Sequence, residues 1–256
     1  MRRTLAFVVA LLVLALVGGE QATATHSWNG YHWSRPADPF TVPLGDNLSP
    51  SWDPYLVTAS TDWSQSTVLD TLLQAGAARS KQCLPTTGTV QVCNGSYGRN
   101  GWLGLAQIWL SGAHIVQGAV KVNDTYFSSA TYNNKNEKLH VVCQEVGHTF
   151  GLGHQDESGA SLNTCMDYYH NTSDADTKST HPNQHDYDEL VTIYTSHYEA
   201  ASGASSGTAG AAARVPGAAE DGTPFGAARG RGSWYVQELG PSRFLLTHVF
   251  WAPTGN

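Results

Sequence analysis

The stretch QEVGHTFGLGH, residues 144–154, carries most of the information in this chain. Apolar residues recur at intervals of three and four from Leu139 to Phe150, a spacing typical of one face of a helix. Gln144 and His148 are one turn apart, about 6 Å along the axis, so they project from the same side of that helix. The stretch therefore predicts an α-helix with an apolar face and a polar face opposite to it.

The polar face of this helix has the composition of a metal site. Two side chains one turn apart can bind the same metal ion. Gly151 lies where the apolar periodicity stops, and a glycine can take the left-handed conformation that ends a helix. The chain can then turn back and bring His154 to the same point. We predict that His148 and His154 bind a shared metal and that Glu145 accepts a proton from a metal-bound water.

Residues 144–154 resemble the extended zinc motif of the metzincin metalloproteases, H-E-x-x-H-x-x-G-x-x-H, at every defining position except the first. Twelve residues after the last histidine, the segment around Met166 resembles the Met-turn of that family. The resemblance covers about residues 40–198 and is closest to the matrixin type. It implies a zinc-dependent endopeptidase. Tyr168 matches a tyrosine that in some metzincins approaches the metal and stabilises the oxyanion, although ordinary packing explains this residue equally well.

Gln144 stands where the family has its first zinc-binding histidine. Hydrolytic zinc sites usually have three protein ligands, and an amide oxygen is a poorer donor for zinc than imidazole. Three interpretations follow: Gln144 binds the metal through its side-chain oxygen, Asp156 or His170 completes the site, or the protein is an inactive pseudoprotease that binds peptides or another partner. The presence of Glu145, whose clear role is proton transfer, favours the active enzyme with Gln144 as third ligand.

The N-terminus predicts a secretory signal peptide over residues 1–24. Two arginines precede an apolar run of 13 residues, and small residues follow up to Ala24, where we place cleavage. The run is shorter than the roughly 20 residues of a spanning helix, so we expect no membrane contact after cleavage. The net charge of -7 argues against a nucleic-acid partner, because phosphate binding needs clustered basic residues.

Four cysteines in an exported chain indicate two disulfides, for which the sequence alone allows three pairings. Cys83 with Cys93 would close a short loop. In the metzincin fold the active-site helix and the Met-turn are neighbours, so the resemblance implies a second bridge between Cys143 and Cys165.

Composition divides the rest of the chain. Residues 25–199 are mixed and globular, residues 200–232 are rich in Ala, Gly and Ser and predict a linker, and residues 233–256 predict a C-terminal β-hairpin. An isolated hairpin is marginal in water, so it must dock on the main domain or pair elsewhere. Its aromatic residues would serve either that docking or contact with a sugar polymer or cell wall; they are Trp234, Tyr235, Phe250 and Trp251.

The order of elements predicts an α+β fold. Ser51 is expected to cap a first helix, strand-like runs follow at residues 67–73, 89–93, 103–110 and 115–122, and a last helix spans residues 182–198. The resemblance implies a twisted, mostly parallel sheet in which residues 103–110 form an antiparallel edge strand that binds a polypeptide substrate. The acidic stretch 174–188 is a weak candidate for calcium, since it lacks a recognisable loop pattern.

Overall fold

A computed structural model describes residues 26–78, 81–195, 223–224 and 232–253. The predicted signal peptide and most of the predicted linker lie outside these residues. No helix among the described residues is long and apolar enough to span a bilayer.

The elements in chain order are β1 (His32–Trp33), β2 (Phe40–Asn47), α1 (Asp53–Trp63), β3 (Leu69–Ala75), β4 (Val90–Gly95), β5 (Trp102–Ser111), β6 (His114–Asn123), α2 (Asp124–Phe127), α3 (Lys135–His148), α4 (Gln184–Thr195), β7 (Thr223–Pro224), β8 (Gly232–Gly240) and β9 (Arg243–Trp251).

The strands form one mixed sheet in the order β3-β2-β4-β6-β5-β9-β8-β7, with β1 paired to β6. Strands β3, β2, β4 and β6 are parallel, and β5 is antiparallel to β6. The predicted α+β class and the largely parallel first half are thus confirmed. The sheet does not end at β5, however, because β9 pairs antiparallel with it along nearly its whole length. The expected free edge at residues 103–110 is therefore filled by the chain's own C-terminal strand.

Helix α3 lies across the sheet, and its environment differs from the amphipathic expectation. It packs on α1 on one side and on β5, β6 and β9 on the other. Nearly every residue from Asn136 to His148 is buried, on the polar face as well as the apolar one. The helix begins at Asn134, whose side chain accepts a hydrogen bond from the backbone N–H of Glu137. A polar face that is buried in this way has to find partners inside the protein.

Helix α1 begins without the cap that the sequence predicts. Trp52 occupies the N-cap position, and no side chain caps the helix there. Pro54 lies in the first turn, where its missing N–H costs nothing, and the carboxylate of Asp53 lies next to the helix N-terminus. Ser51 instead shares a hydrogen bond with Ser49.

The C-terminal hairpin is an integral part of the sheet. Strands β8 and β9 pair with each other through a turn at residues 241–242, and β9 is buried on both faces. Trp234 and Phe250 face α3, whereas Tyr235 and Trp251 pack around Trp102 on the opposite face. The aromatic side chains are thus used in packing, which supports docking over polymer contact. Within the predicted linker, Thr223–Pro224 adds a short strand to β8.

Both expected disulfides are present. Cys83 is bonded to Cys93, which ties the loop after β3 to strand β4. Cys143 is bonded to Cys165, which ties α3 to residues 164–168, the segment that we call the Met-turn. Closing a loop of this size stabilises the folded state by about 3 kcal/mol, mainly through the lower entropy of the unfolded chain. The second bridge fixes α3 at Cys143, the residue next to Gln144.

Lys121 on β6 gives a prediction about stability. Its side chain is buried, and burial lowers its pKa from 10.5 to about 8. Because the folded state binds this proton less tightly than the unfolded state, the charge costs stability below pH 8, and the cost vanishes as the pH rises to 10.5. Lys121→Met is expected to raise the free energy of unfolding at pH 7 by about 2 kcal/mol, measured by urea denaturation.

The exposed residue Lys135 supplies the matched control. Lys135→Met should change the free energy of unfolding by less than about 0.5 kcal/mol. The gain from Lys121→Met should also shrink between pH 8 and pH 10.5. A gain that persists unchanged at pH 10.5 would mean that side-chain packing, and not the buried charge, is responsible.

Candidate active site

The turn that follows α3 brings its last histidine next to His154. The helix ends at His148, and Gly151 takes a positive φ of 95°. A side chain at Gly151 would also collide with the carbonyl oxygen of Tyr31, which would lie 2.0 Å from its Cβ. Only glycine satisfies both conditions. The rings of His148 and His154 lie 4.6 Å apart, as the motif predicts.

A third imidazole completes the cluster, and it comes from the C-terminal hairpin. The ring of His248, on β9, lies 4.1 Å from that of His148 and 4.8 Å from that of His154. One ring nitrogen of each histidine lies within 4.8 Å of the others. Among the described residues these three form the group of His, Cys, Asp and Glu side chains with metal-binding geometry.

The hydrogen bonds of the three rings leave one nitrogen of each directed at the cluster. Nδ1 of His148 donates to the carbonyl oxygen of Leu152 at 2.8 Å, and Nδ1 of His248 donates to Oε2 of Glu145 at 3.0 Å. Nε2 of both rings is buried without a hydrogen-bond partner in the described structure, and so is Nε2 of His154. Nδ1 of His154 has no hydrogen bond there either, and it lies 3.5 Å from Oε1 of Glu157. Buried polar atoms are otherwise nearly always paired, so this arrangement fits a metal ion.

The protonation of these histidines also suits metal binding. Burial lowers the pKa of His148 well below its usual value, and the neighbouring His248 lowers it further. Burial also lowers the pKa of His154 well below its usual value, and the neighbouring His148 lowers it further. Both rings are therefore neutral at pH 7, which is the form that coordinates zinc.

Glu145 lies beside the histidine cluster. In the described structure, one of its carboxylate oxygens is hydrogen-bonded and the other has no hydrogen-bond partner. Its carboxylate is fully buried, Oε2 accepts the hydrogen bond from His248, and Oε1 has no hydrogen-bond partner in the described part of the chain. Burial raises the pKa of Glu145, while the hydrogen-bonded His248 partly offsets that rise. Strand β5 passes close at Gly104, where an added Cβ would lie 3.2 Å from Oε1 of Glu145. A carboxylate of this kind is a stronger proton acceptor than one in water.

Gln144 is buried one turn before His148, and its amide group is bound to the Met-turn. Its Nε2 donates to the carbonyl oxygens of Cys165 and Asp167, at 2.8 and 2.7 Å. Its Oε1 has no hydrogen-bond partner within the described residues. The glutamine thus joins α3 to the Met-turn, beside the disulfide that joins the same two segments.

Met166 lies directly under the active-site helix. It is fully buried, and its Sδ would lie 2.7 Å from a Cβ at Gly147, so that position of α3 has no space for a side chain. The Met-turn therefore packs against the helix next to His148, as the motif order predicts.

The two alternative ligands from sequence, Asp156 and His170, bind other groups. Oδ1 of Asp156 accepts hydrogen bonds from the backbone N–H groups of residues 158–160, which orders its own loop. Nδ1 of His170 lies 2.7 Å from Oε1 of Glu137, near the start of α3. Neither side chain belongs to the histidine cluster.

Three aromatic rings enclose the cluster. Tyr168 packs on His154 with ring centroids 3.9 Å apart, and Trp28 lies 6.0 Å from His148. Trp234 contacts all three imidazoles at 4.5 to 5.2 Å. Burial raises the pKa of Tyr168, so its hydroxyl keeps its proton at pH 7.

The acidic stretch 174–188 is used in folding. Asp174 accepts a hydrogen bond from the N–H of Lys135, Asp176 accepts one from the hydroxyl of Tyr169, and Asp186 accepts one from the N–H of Asn183. These contacts hold the stretch against α3 and start α4. Calcium binding here stays a prediction.

Sequence reasoning missed His248 because it depends on a long-range contact. The sequence predicts the hairpin as a docking or polymer-binding element, and no local motif marks its histidine as a ligand. One pattern could have pointed to it. Alternation along β9 places His248 on the same face as Leu246 and Phe250, and a histidine on an apolar strand face needs a buried partner.

The solved structures that are similar to this chain at low identity include the following two. One is high choriolytic enzyme 1, a hatching enzyme zinc-protease from Oryzias latipes (medaka fish), with 9% identity, a TM-score of 0.37, and coverage of 65% of this chain and 96% of that chain. The other is myroilysin, with 10% identity, a TM-score of 0.37, and coverage of 66% and 97%. No family model and no curated protein matches the sequence. Likeness at this level carries no functional conclusion, which has to come from the site itself.

Proposed function

We propose that this protein is a secreted, zinc-dependent endopeptidase whose metal is held by His148, His154 and His248. The observation that carries the proposal is the convergence of three buried imidazoles, each with a nitrogen that has no hydrogen-bond partner in the described structure. Three protein ligands and one open position are typical of hydrolytic zinc. In this arrangement His248 takes the role that the motif gives to its first residue, and Gln144 serves to position the helix and the Met-turn.

Glu145 has two roles in this proposal. Through Oε2 it orients His248 and fixes which ring nitrogen carries the proton, as carboxylates commonly do for metal-binding histidines. Through its unpartnered Oε1 it accepts a proton from the attacking water. When zinc is bound, it lowers the pKa of that water and polarises the carbonyl group that is attacked.

Tyr168 is proposed to donate a hydrogen bond to the oxygen that becomes negative during peptide hydrolysis. Its ring is in contact with His154, and burial raises its pKa, so that its hydroxyl stays protonated. A donor that is already in place in a buried site stabilises developing charge efficiently. Its packing on His154 also supports a structural role, and Tyr168→Phe separates the two.

The alternative function is a pseudoprotease that binds a peptide or protein partner without cleaving it. It gains support from the burial of the whole site and from β9, which occupies the β5 edge that a peptide would use. Because the histidine cluster is complete and Glu145 has an unpartnered oxygen, we favour the peptidase.

The proposal is tested on purified protein that lacks residues 1–24. One equivalent of zinc per chain is expected by elemental analysis, together with cleavage of an unfolded protein substrate that stops on chelation and returns with added zinc. A protein that holds zinc and cleaves nothing would support the pseudoprotease. A protein that holds no metal would contradict both the ligand set and the activity.

A further inference from the structure

The side chains that would bind zinc and activate water are closed off from solvent in this fold. Glu145, His148 and His248 are 0% exposed, and so is the side chain of His154. A peptide bond must come within contact distance of these groups if the proposed function is right. Part of the enclosure therefore has to move when a substrate binds.

Most of the enclosure is held too firmly to be that part. Strand β9 is hydrogen-bonded to β5 on one side and β8 on the other, and its side chains are buried on both faces. Removing β9 would also remove His248 from the proposed ligand set. Trp28 is 5% exposed and Tyr168 is 1% exposed, so both rings are fixed by close packing.

Trp234 differs from the other rings around the cluster. It is the one among them that is partly exposed in the described structure, and it contacts all three imidazoles as well as Trp28. Strand β8 carries it on the side of the hairpin away from β5, where, among the described residues, β7 pairs with Tyr235 and Val236. Its ring thus lies between the histidines and solvent, on the hairpin strand that does not pair with β5.

We propose that Trp234 is the gate of the active site and that a substrate peptide enters from the β8 side when its ring swings out. The inference rests on the proposed function in one respect, namely that the entering ligand is a peptide. Movement of this single side chain uncovers all three imidazoles and leaves His248 in place on β9. The edge of β5, which the motif resemblance implies as the peptide site, is filled by β9 and is not needed on this route.

The gate is tested first in metal-free protein, by the rate at which diethyl pyrocarbonate modifies the three histidines. Peptide mapping by mass spectrometry reads the rate for His148, His154 and His248 separately from the other histidines. Trp234→Ala is expected to speed modification of all three by about tenfold, because it removes the cover without removing the strand. Trp234→Phe should give an intermediate rate.

Tyr235→Ala is the matched control, since it removes a large ring from the next residue of β8 but on the opposite face. Both truncations weaken the hairpin, so faster modification in Trp234→Ala than in Tyr235→Ala assigns access to the Trp234 side chain and not to opening of the hairpin. Equal acceleration by the two variants would mean that the whole hairpin opens, and no acceleration by Trp234→Ala would mean that access lies elsewhere. Either result overturns the proposal.

A second measurement uses protein loaded with zinc. The rate at which a soluble chelator removes the metal should rise about tenfold in Trp234→Ala and stay close to the wild-type rate in Tyr235→Ala. A protein that never binds zinc fails the proposed function, yet its histidine modification rates still decide whether Trp234 is the gate. The two hypotheses can therefore fail independently.

Discussion

His248→Ala is expected to weaken zinc binding about a thousandfold while the chain stays folded. The free energy of zinc binding in protein sites is about 10–16 kcal/mol, and a few ligands share it. Loss of one of three imidazoles therefore removes a large part of this free energy. The variant also frees Oε2 of Glu145 from the hydrogen bond it accepts. Zinc affinity is measured by competition with a chromophoric chelator, with circular dichroism to confirm the fold.

Two further variants make the His248 result specific. His248→Cys keeps a zinc ligand at the same place on β9 and should recover much of the affinity. Gln144→Ala should keep most of the affinity, because the amide of Gln144 is bound to carbonyl oxygens of the Met-turn. Loss of zinc in Gln144→Ala with retention in His248→Ala would instead identify the glutamine oxygen as the third ligand.

Glu145→Gln is expected to reduce peptide cleavage by about a thousandfold or more and to leave one equivalent of zinc bound. An amide has nearly the shape of the carboxylate, yet it cannot accept a proton from water at pH 7. Its oxygen can still accept the hydrogen bond from His248, so the ligand keeps its orientation. The rate of cleavage of an unfolded protein and the zinc content are measured on the same preparation.

Glu238→Gln is the control for this loss, since Glu238 is an exposed carboxylate on β8. It should cleave at close to the wild-type rate. Retained activity in Glu145→Gln would remove the proton acceptor from the proposed mechanism. Loss of zinc together with activity would instead assign Glu145 mainly to the support of His248.

The local part of the site could be predicted from sequence because it depends on short-range geometry. A helix ending near Gly151, followed by His154, brings two histidines together by turn geometry alone, and the structure has them 4.6 Å apart. The disulfide between Cys143 and Cys165 could be anticipated only through the resemblance, since spacing by itself allows three pairings.

The environment of α3 could not be predicted in the same way. The periodicity predicts one apolar face, whereas the folded helix is buried all round, because β9 and the Met-turn cover the side that would otherwise face solvent. Strand β9 also fills the β5 edge on which a substrate was expected. The filled edge comes from pairing between strands more than 130 residues apart, which leaves no local trace in the sequence.

The sequence by itself therefore determined helix α3, the pair of histidines His148 and His154, the candidate base Glu145 and the four strands β3 to β6, because each is set by residues close together in the chain. The tertiary structure alone brought His248, the proposed third ligand, to this site. His248 is 100 residues from His148 and reaches it only because β9 pairs with β5. Strand pairing at that distance is set by the packing of the whole sheet, and no spacing within the motif encodes it.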